Sequence, residues 1–155
     1  MTASGFDNPD DQTLRALLRR IRTIAVVGLS PNPQRPSHGV SRHLQRFGYR
    51  VVPVRPGIES VLGERAYGDL RDVPFAVDLV DVFRAPQHVE PIVDACIERA
   101  IPAIWLQLGV VNEAAAHKAR AAGMTVVMDR CLYQEYLRLI GHAPIDHAAA
   151  PPATR

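Results

Sequence analysis

Short apolar runs that alternate with helical patterns constrain the fold of this chain more than any other feature. The run Thr23–Val27 is β-branched and apolar, and it ends at a glycine. Such runs are typical of strands that are covered on both faces, as in parallel sheets. Further strands are predicted over residues 50–54, 79–83, 103–108 and 124–128.

The segments between these strands have helical spacing of their apolar residues. Helices are predicted over residues 11–21, 37–47, 86–100, 112–122 and 132–140, with Asn112 as the cap of the fourth. Alternating strands and helices with right-handed crossovers predict an α/β fold. We therefore expect a single doubly wound parallel sheet, Rossmann-like, with about five strands and helices on both faces.

Length and composition favour one soluble domain. The chain has 155 residues, of which 47% are hydrophobic and 22% charged. We expect a flexible N-terminus over residues 1–10, a folded domain over 11–142 and a disordered Ala- and Pro-rich tail over 143–155. No apolar run approaches the length of a membrane span or a secretory leader, and two cysteines exclude a disulfide scaffold. A cytoplasmic location is expected.

The charge of the chain argues against nucleic-acid binding and draws attention to single arginines. The formal net charge is only +2, whereas nucleic-acid binding needs a concentrated basic surface. Lys118 is the one lysine among 18 basic residues, and the rest are arginines. Arginine binds phosphate through two parallel hydrogen bonds and lysine does not.

The loop after the first strand is a candidate anion site. Residues 28–37 (GLSPNPQRPS) lead into a helix N-terminus, where free N–H groups and the helix dipole favour an anion such as a pyrophosphate. Ser30 and Ser37 add hydroxyl groups, and Arg35 adds a charge. The loop lacks both the G-x-G-x-x-G and the P-loop patterns. The alternative is a plain loop in which Ser37 caps the helix.

The second and third strands end in residues that suit a phosphorylated nucleotide. Val54 and Arg55 end the second strand, where NAD-binding units usually place an acidic residue. A cation there suits a ribose phosphate, as in NADP or coenzyme A; the alternative is a solvated side chain. After the third strand, Phe83 either packs against an adenine or belongs to the core.

Five short motifs resemble those of the stand-alone CoA-binding domain proteins. They are 24–30 (IAVVGLS), 35–37 (RPS), 82–84 (VFR), 105–109 (WLQLG) and 128–131 (MDRC), and they follow one another across residues 23–140. These proteins are Rossmann-like and similar to the N-terminal domain of the succinyl-CoA synthetase alpha subunit. The order of the motifs makes the combined match specific.

The resemblance implies a coenzyme A site. It implies that the pyrophosphate is held by Gly28, Leu29, Ser30 and Ser37, that Arg55 faces the ribose phosphate, and that Val82, Phe83 and Arg84 contact adenosine. The synthetase subunit also carries a second domain with a phosphorylated histidine. We expect this chain to lack that domain, so the resemblance implies binding without ligase activity.

No complete catalytic group or metal site emerges from the residue pattern. Cys96 lies on the apolar stripe of a helix and is expected in the core. Cys131 follows the fifth strand, where a helix N-terminus can activate a thiol, and a pairing with a histidine stays open. No histidines have metal-ligand spacing with a third ligand. Asp129 is expected to cap the last helix.

The leading hypothesis is therefore a non-catalytic protein that binds coenzyme A or an acyl-CoA and carries, senses or delivers it, with a protein partner left open. The alternative is an NADP-dependent oxidoreductase domain. Arg55 permits the alternative, but the missing glycine fingerprint weighs against it. A third hypothesis is an interaction module that has lost its ligand.

Overall fold

The computed structural model describes residues 5–147. The strands are β1 (Thr23–Val27), β2 (Arg50–Val54), β3 (Ser60–Val61), β4 (Glu64–Arg65), β5 (Leu79–Val82), β6 (Ala103–Leu106) and β7 (Thr125–Val127). The helices are α1 (Asp11–Arg20), α2 (Pro36–Arg46), α3 (Val89–Glu98), α4 (Glu113–Ala121) and α5 (Leu132–Leu139). No helix in this part of the chain has the length and apolar character that crossing a membrane requires.

Five parallel strands form one sheet in the order β2-β1-β5-β6-β7. From β1 the chain moves outward to β2 and then returns to the other side of β1 to form β5. The strand order therefore reverses between β1 and β5, which opens a crevice at the carboxyl ends of these strands. This sheet confirms the predicted α/β, doubly wound, Rossmann-like fold class.

Two apolar layers cover the sheet, one on each face. One layer packs α1, α2 and α5 against residues such as Val26, Leu79 and Trp105. The other packs α3 and α4 against Val27, Val80 and Leu106. Because consecutive strand residues point to opposite faces, strands with apolar residues at nearly every position serve both layers.

The predicted elements match the structure in place, with small shifts at their ends. Strands β1 and β2 have the predicted bounds, and Asn112 accepts a hydrogen bond from Ala115 N as the cap of α4. The helix predicted from residue 86 starts with a 3₁₀ turn, Pro86–His88, before α3. The small antiparallel hairpin of β3 and β4 was not predicted, because strands of two residues carry no measurable periodicity.

At both ends of the described chain, residues outside the predicted domain limits of 11 and 142 pack against the folded domain. Phe6 is buried, and the Asn8 side chain hydrogen-bonds the backbone of Met128 in both directions. Ile145 is also buried, and its N–H donates to the Phe47 carbonyl at 2.8 Å. Single apolar residues among polar and small ones form no pattern, so the sequence did not predict these contacts. Residues 1–4 and 148–155 lie outside the described residues.

Candidate functional site

A hollow on the surface, the larger of two described below, lies at the carboxyl ends of β1, β2 and β5, where the strand order reverses. Its volume is about 780 Å³, within the range of small-molecule sites. It is lined by Gly28, Ser30, Pro31, Asn32, Arg35, Pro36, Ser37, Val54, Arg55, Pro56, Phe83 and Arg84. Residues at and after the carboxyl ends of β1, β2 and β5 are therefore brought together from three separate stretches of sequence.

Eight of the ten residues proposed from the sequence line this hollow: Gly28, Ser30, Arg35, Ser37, Val54, Arg55, Phe83 and Arg84. The other two, Leu29 and Val82, are fully buried in the apolar layers on opposite faces of the sheet. Their side chains pack in the core, so only their backbone atoms are candidates for contact with a ligand. Pro31, Asn32, Pro36 and Pro56 were missed, although the three prolines adjoin predicted residues and Asn32 lies two residues after Ser30.

Internal hydrogen bonds hold the loop between β1 and α2 in one shape. The Ser30 N–H donates to the Ser37 hydroxyl at 2.9 Å, and the Asn32 N–H donates to the Ser30 hydroxyl at 3.1 Å. Gln34 N–H donates to the Asn32 side chain at 2.9 Å. These bonds fold the loop into consecutive turns, so its backbone is pre-organised around the hollow.

The N-terminus of α2 has no side-chain cap. Arg35 occupies the cap position without a side-chain hydrogen bond, and Pro36 is the first helical residue. The alternative in which Ser37 caps the helix is therefore wrong, because its hydroxyl bonds Ser30 instead. Pro36 has no N–H, and the His38 N–H donates to the Arg35 carbonyl at 3.1 Å. The uncapped N-terminus therefore offers an anion the Ser37 N–H and the positive end of the helix dipole.

Three guanidinium groups give the larger hollow a positive charge. Arg35 and Arg84 are exposed and Arg55 is half-buried, with its N–H donating to the Tyr67 carbonyl at 2.8 Å. Within residues 5–147, none of the three side chains has an ion pair or a hydrogen bond, and no Asp or Glu lines the hollow. Three unneutralised arginines around an uncapped helix form an environment for a polyanion.

A smaller hollow of about 200 Å³ lies on the α3 side of the same sheet edge and shares Val54, Pro56 and Arg84 with the larger one. Its other lining residues are Val27, Gly68, Asp69, Leu70, Arg71, His88, Pro91, Ile92 and Ala95. Most of the residues that line this hollow are apolar, which suits a flat aromatic ring of a ligand. Residues 68–71 were missed because they follow no predicted strand; the Gly-Asp pair was the only signal of a turn there.

A buried carboxyl group lies on β5, two residues before the lining residue Phe83. Asp81 is fully buried on β5 and accepts a hydrogen bond from Gln107 Nε2 at 2.9 Å, while its Oδ2 atom has no partner. Burial raises the pKa of Asp81 to about 7, and the Gln107 hydrogen bond opposes this only in part. Asp81 therefore changes charge near neutral pH, two residues before Phe83.

Both cysteines and Asp129 lie outside the two hollows. Cys96 is buried in the core as predicted, and burial raises the pKa of its thiol to about 12. Cys131 is half-buried at the cap position of α5 and has no hydrogen bond to a histidine in the described part of the chain. The prediction that Asp129 caps α5 is wrong, since Asp129 accepts from Gly109 N at 2.7 Å. Residues 5–147 contain no cluster of three His, Cys, Asp or Glu side chains able to hold a metal.

Comparison with protein families identifies the family to which this chain belongs. The model of the family described as "CoA binding domain" matches residues 22–136. The chain belongs to this family. The match includes all five strands of the parallel sheet and every residue that lines either hollow. It confirms the family resemblance inferred from the five sequence motifs and supports a coenzyme A-binding role.

Similar proteins extend across bacteria and archaea. The chain is 38% identical over 127 residues to the uncharacterized protein YneT of Bacillus subtilis, covering 82% of this chain and 94% of YneT. It is 30% identical over 84 residues to the alpha subunit of an ADP-forming acetate–CoA ligase II of Pyrococcus furiosus, covering 54% of this chain and 18% of that subunit. The structure of a hypothetical protein from Pyrococcus horikoshii OT3 superimposes with a TM-score of 0.85 at 35% identity, covering 91% of this chain and 99% of that one.

Proposed function

We propose that this protein binds coenzyme A or an acyl-CoA through its ADP moiety and acts as a carrier, sensor or regulatory protein without catalysis of its own. The observation that carries the proposal is the set of three unpaired arginines around the uncapped N-terminus of α2. Coenzyme A is a polyanion with a pyrophosphate and a ribose phosphate, so it requires several such groups.

The pyrophosphate is assigned to the loop between β1 and α2. Gly28, Leu29 and Ser30 offer backbone atoms there, and the Ser37 hydroxyl lies at the helix N-terminus. The Gly28 N–H donates to the Val54 carbonyl at 2.9 Å, and the Ser30 N–H donates to the Ser37 hydroxyl. The N–H groups of Leu29 and Ser37 have no such bond within residues 5–147, and they are the donors assigned to the pyrophosphate. Arg35 then supplies a mobile positive charge at the rim.

The ribose phosphate is assigned to Arg55. This residue directly follows β2, and its backbone is fixed by the hydrogen bond to Tyr67. Val54 packs beneath it and lines both hollows. An arginine with a fixed backbone and an unpaired guanidinium is suited to bind phosphate through two parallel hydrogen bonds.

The adenosine is assigned to the segment that follows β5 and to the smaller hollow. Phe83 and Arg84 line the larger hollow, and Arg84 also lines the smaller one. Val82 contributes backbone only, since its side chain is buried. The adenine ring lies against the apolar walls of the smaller hollow, which include Leu70 and Ile92.

The lining of the larger hollow supports binding of the ADP moiety. It includes no Cys, His, Asp, Glu or Lys among the described residues. General acid–base catalysis needs a side chain whose pKa lies near the working pH, and arginine is always protonated. The ADP moiety is therefore held at this site without chemistry there, and a protein partner is one destination for the ligand.

Replacement of Arg55 by alanine tests the assignment of the ribose phosphate. We expect the Arg55→Ala variant to bind coenzyme A about 10- to 100-fold more weakly, because a charged hydrogen bond contributes roughly 1.5–3 kcal/mol. Dephospho-CoA lacks the ribose phosphate, so its affinity for the variant and the unmodified protein should be similar. Titration calorimetry with both ligands measures the difference.

A matched control for this experiment is Arg20→Ala. Arg20 is exposed at the end of α1, at the opposite edge of the sheet from the site. Its removal changes the net charge equally and should leave both affinities within about twofold. If Arg55→Ala weakens coenzyme A and dephospho-CoA by the same factor, Arg55 does not bind the ribose phosphate.

A further inference from the structure

Exposed apolar side chains are concentrated in one loop on the same sheet edge as the proposed site. Within residues 5–147 three large apolar residues are exposed: Leu108 at 65%, Val111 at 42% and Ile97 at 38%. Leu108 and Val111 both belong to the loop between β6 and α4, whereas Ile97 lies on α3. Scattered apolar residues on a surface are ordinary, but a pair in one ordered loop calls for an explanation.

This loop is ordered by hydrogen bonds that connect it to its neighbours. The Gly109 N–H donates to the Asp129 carboxylate at 2.7 Å, which joins the loops that follow β6 and β7. Val110 N–H donates to the Gln107 carbonyl at 2.8 Å, and the Asn112 side chain donates to the Pro86 carbonyl at 3.0 Å. Asp129 adopts a φ of 62°, which is unusual outside glycine. The loop therefore presents Leu108 in a fixed position.

The distance along the sheet edge matches the length of the pantetheine arm. Neighbouring strands lie about 4.8 Å apart, so β6 is roughly 10 Å from β1 and β7 is roughly 14 Å from it. An extended chain advances about 1.2 Å per bond, and about thirteen bonds separate the sulfur of coenzyme A from the nearer phosphorus. The arm thus spans about 15 Å, enough to reach β6 and β7 from the pyrophosphate site.

The direction of the arm follows from the position of Arg55. Arg55 follows β2, which lies on the opposite side of β1 from β5, β6 and β7. The ribose phosphate at Arg55 takes the β2 side of the pyrophosphate, and the adenine takes the smaller hollow on the α3 face of the sheet. The arm is left with the sheet edge on the β5 side of the pyrophosphate. Continuing in that direction, the arm arrives at Leu108 and then at the loop that contains Cys131.

We propose that the edge formed by Leu108 and Val111, with Cys131 in the adjoining loop after β7, receives the thiol end of the ligand and selects a coenzyme A thioester with an apolar acyl group. This inference rests on the proposed function, because the ADP moiety must be held at β1 and β2 for the arm to reach this edge. The acyl group covers Leu108 and Val111, which accounts for their exposure without a ligand. A charged acyl group gains no affinity from contact with Leu108 and Val111.

The length of the acyl group tests the inference. We expect butyryl-CoA to bind about fourfold more tightly than acetyl-CoA, as two half-buried methylene groups predict at about fourfold per fully buried one. In a Leu108→Ser/Val111→Ser double variant this gain should disappear. Ile97→Ser is the matched control, since it removes an exposed apolar residue from α3, and it should keep the fourfold gain.

Each outcome of the titration has a distinct meaning. If coenzyme A binds and acetyl- and butyryl-CoA bind equally, the inference is overturned while the proposed function stands. If coenzyme A does not bind at all, the proposed function is wrong, and the inference that rests on it is overturned with it. If the double variant keeps the gain but dissociates a dimer in sedimentation experiments, the edge binds a second copy of the chain and the inference is overturned.

Cys131 is a native reporter for the position of the thiol end. Its thiolate attacks coenzyme A disulfide, a bond forms between Cys131 and one coenzyme A sulfur, and the other coenzyme A leaves as a thiolate. Pantethine has the same disulfide and arms but no ADP moiety. We expect coenzyme A disulfide to label Cys131 at least tenfold faster than pantethine at equal micromolar concentration, by mass spectrometry. Buried Cys96 should stay unlabelled, and equal rates for the two disulfides would place the thiol end elsewhere.

Discussion

Replacing Asp81 by asparagine is expected to remove the loss of stability that ionisation of this buried carboxyl causes between pH 4 and pH 8. Burial raises the pKa of Asp81 from 3.8 to about 7 in the folded protein, so the folded state holds this proton more tightly than the unfolded state. Stability from the protonated carboxyl is complete below pH 3.8 and is lost as the pH rises through 7. This shift corresponds to about 4 kcal/mol in the free energy of unfolding.

The measurement is urea denaturation of both proteins at several pH values. The asparagine side chain keeps an oxygen for Gln107 Nε2 and does not ionise. The free energy of unfolding of the variant, relative to that of the unmodified protein, should therefore rise with pH. At pH 8 the variant should be the more stable of the two proteins. Asp72→Asn, at an exposed carboxyl, is the control and should follow the unmodified protein. Parallel curves for Asp81→Asn and the unmodified protein would show that Asp81 is ionised throughout.

Replacing Gly28 by alanine is expected to destabilise the protein by about 3 kcal/mol and to weaken coenzyme A binding more than tenfold. Gly28 has a φ of +91°, and an added Cβ would lie 2.6 Å from the Phe83 carbonyl oxygen and 3.1 Å from Arg84 Cδ. The backbone strain costs about 1–2 kcal/mol, and the clash with backbone atoms adds to it. To relieve the clash, the loops after β1 and β5 must separate, which moves both sides of the proposed site.

Gly123→Ala separates the two effects of this substitution. Gly123 has a φ of +94° after α4, and an added Cβ would meet no atom within 4 Å. It should cost only the strain of about 1–2 kcal/mol and leave ligand binding unchanged. Thermal denaturation and calorimetry of the two variants give the comparison. Equal losses at both positions would mean that the contact between the β1 and β5 loops does not hold the site together.

The fold was predictable because its apolar pattern is regular. Each central strand, such as Thr23–Val27, is buried along almost its whole length, and runs of this kind have few other interpretations. The expected site followed from the fold, since residues after parallel strands meet at one sheet edge. Gly28, Arg55 and Arg84 come together in the structure for that reason.

Features that depend on tertiary contacts were not predictable. Phe6 and Ile145 are single apolar residues in polar surroundings, and only the folded core shows the gaps that they fill. The roles of Ser37 and Asp129 depend on partners seven and twenty residues away, Ser30 and Gly109. Local propensity favoured a helix cap at both positions, and a loop contact took its place.

The most direct test of the central claim is a parallel thermal-shift titration with coenzyme A, acetyl-CoA, NADP and NAD. A ligand at a hundredfold excess over its dissociation constant stabilises the folded state by about 2.7 kcal/mol, which raises the Tm of a protein of this size by roughly 5–10 °C. We expect such a rise with coenzyme A and acetyl-CoA and none with the two nicotinamide cofactors. A rise with NADP alone would contradict it and would assign the site to an oxidoreductase domain.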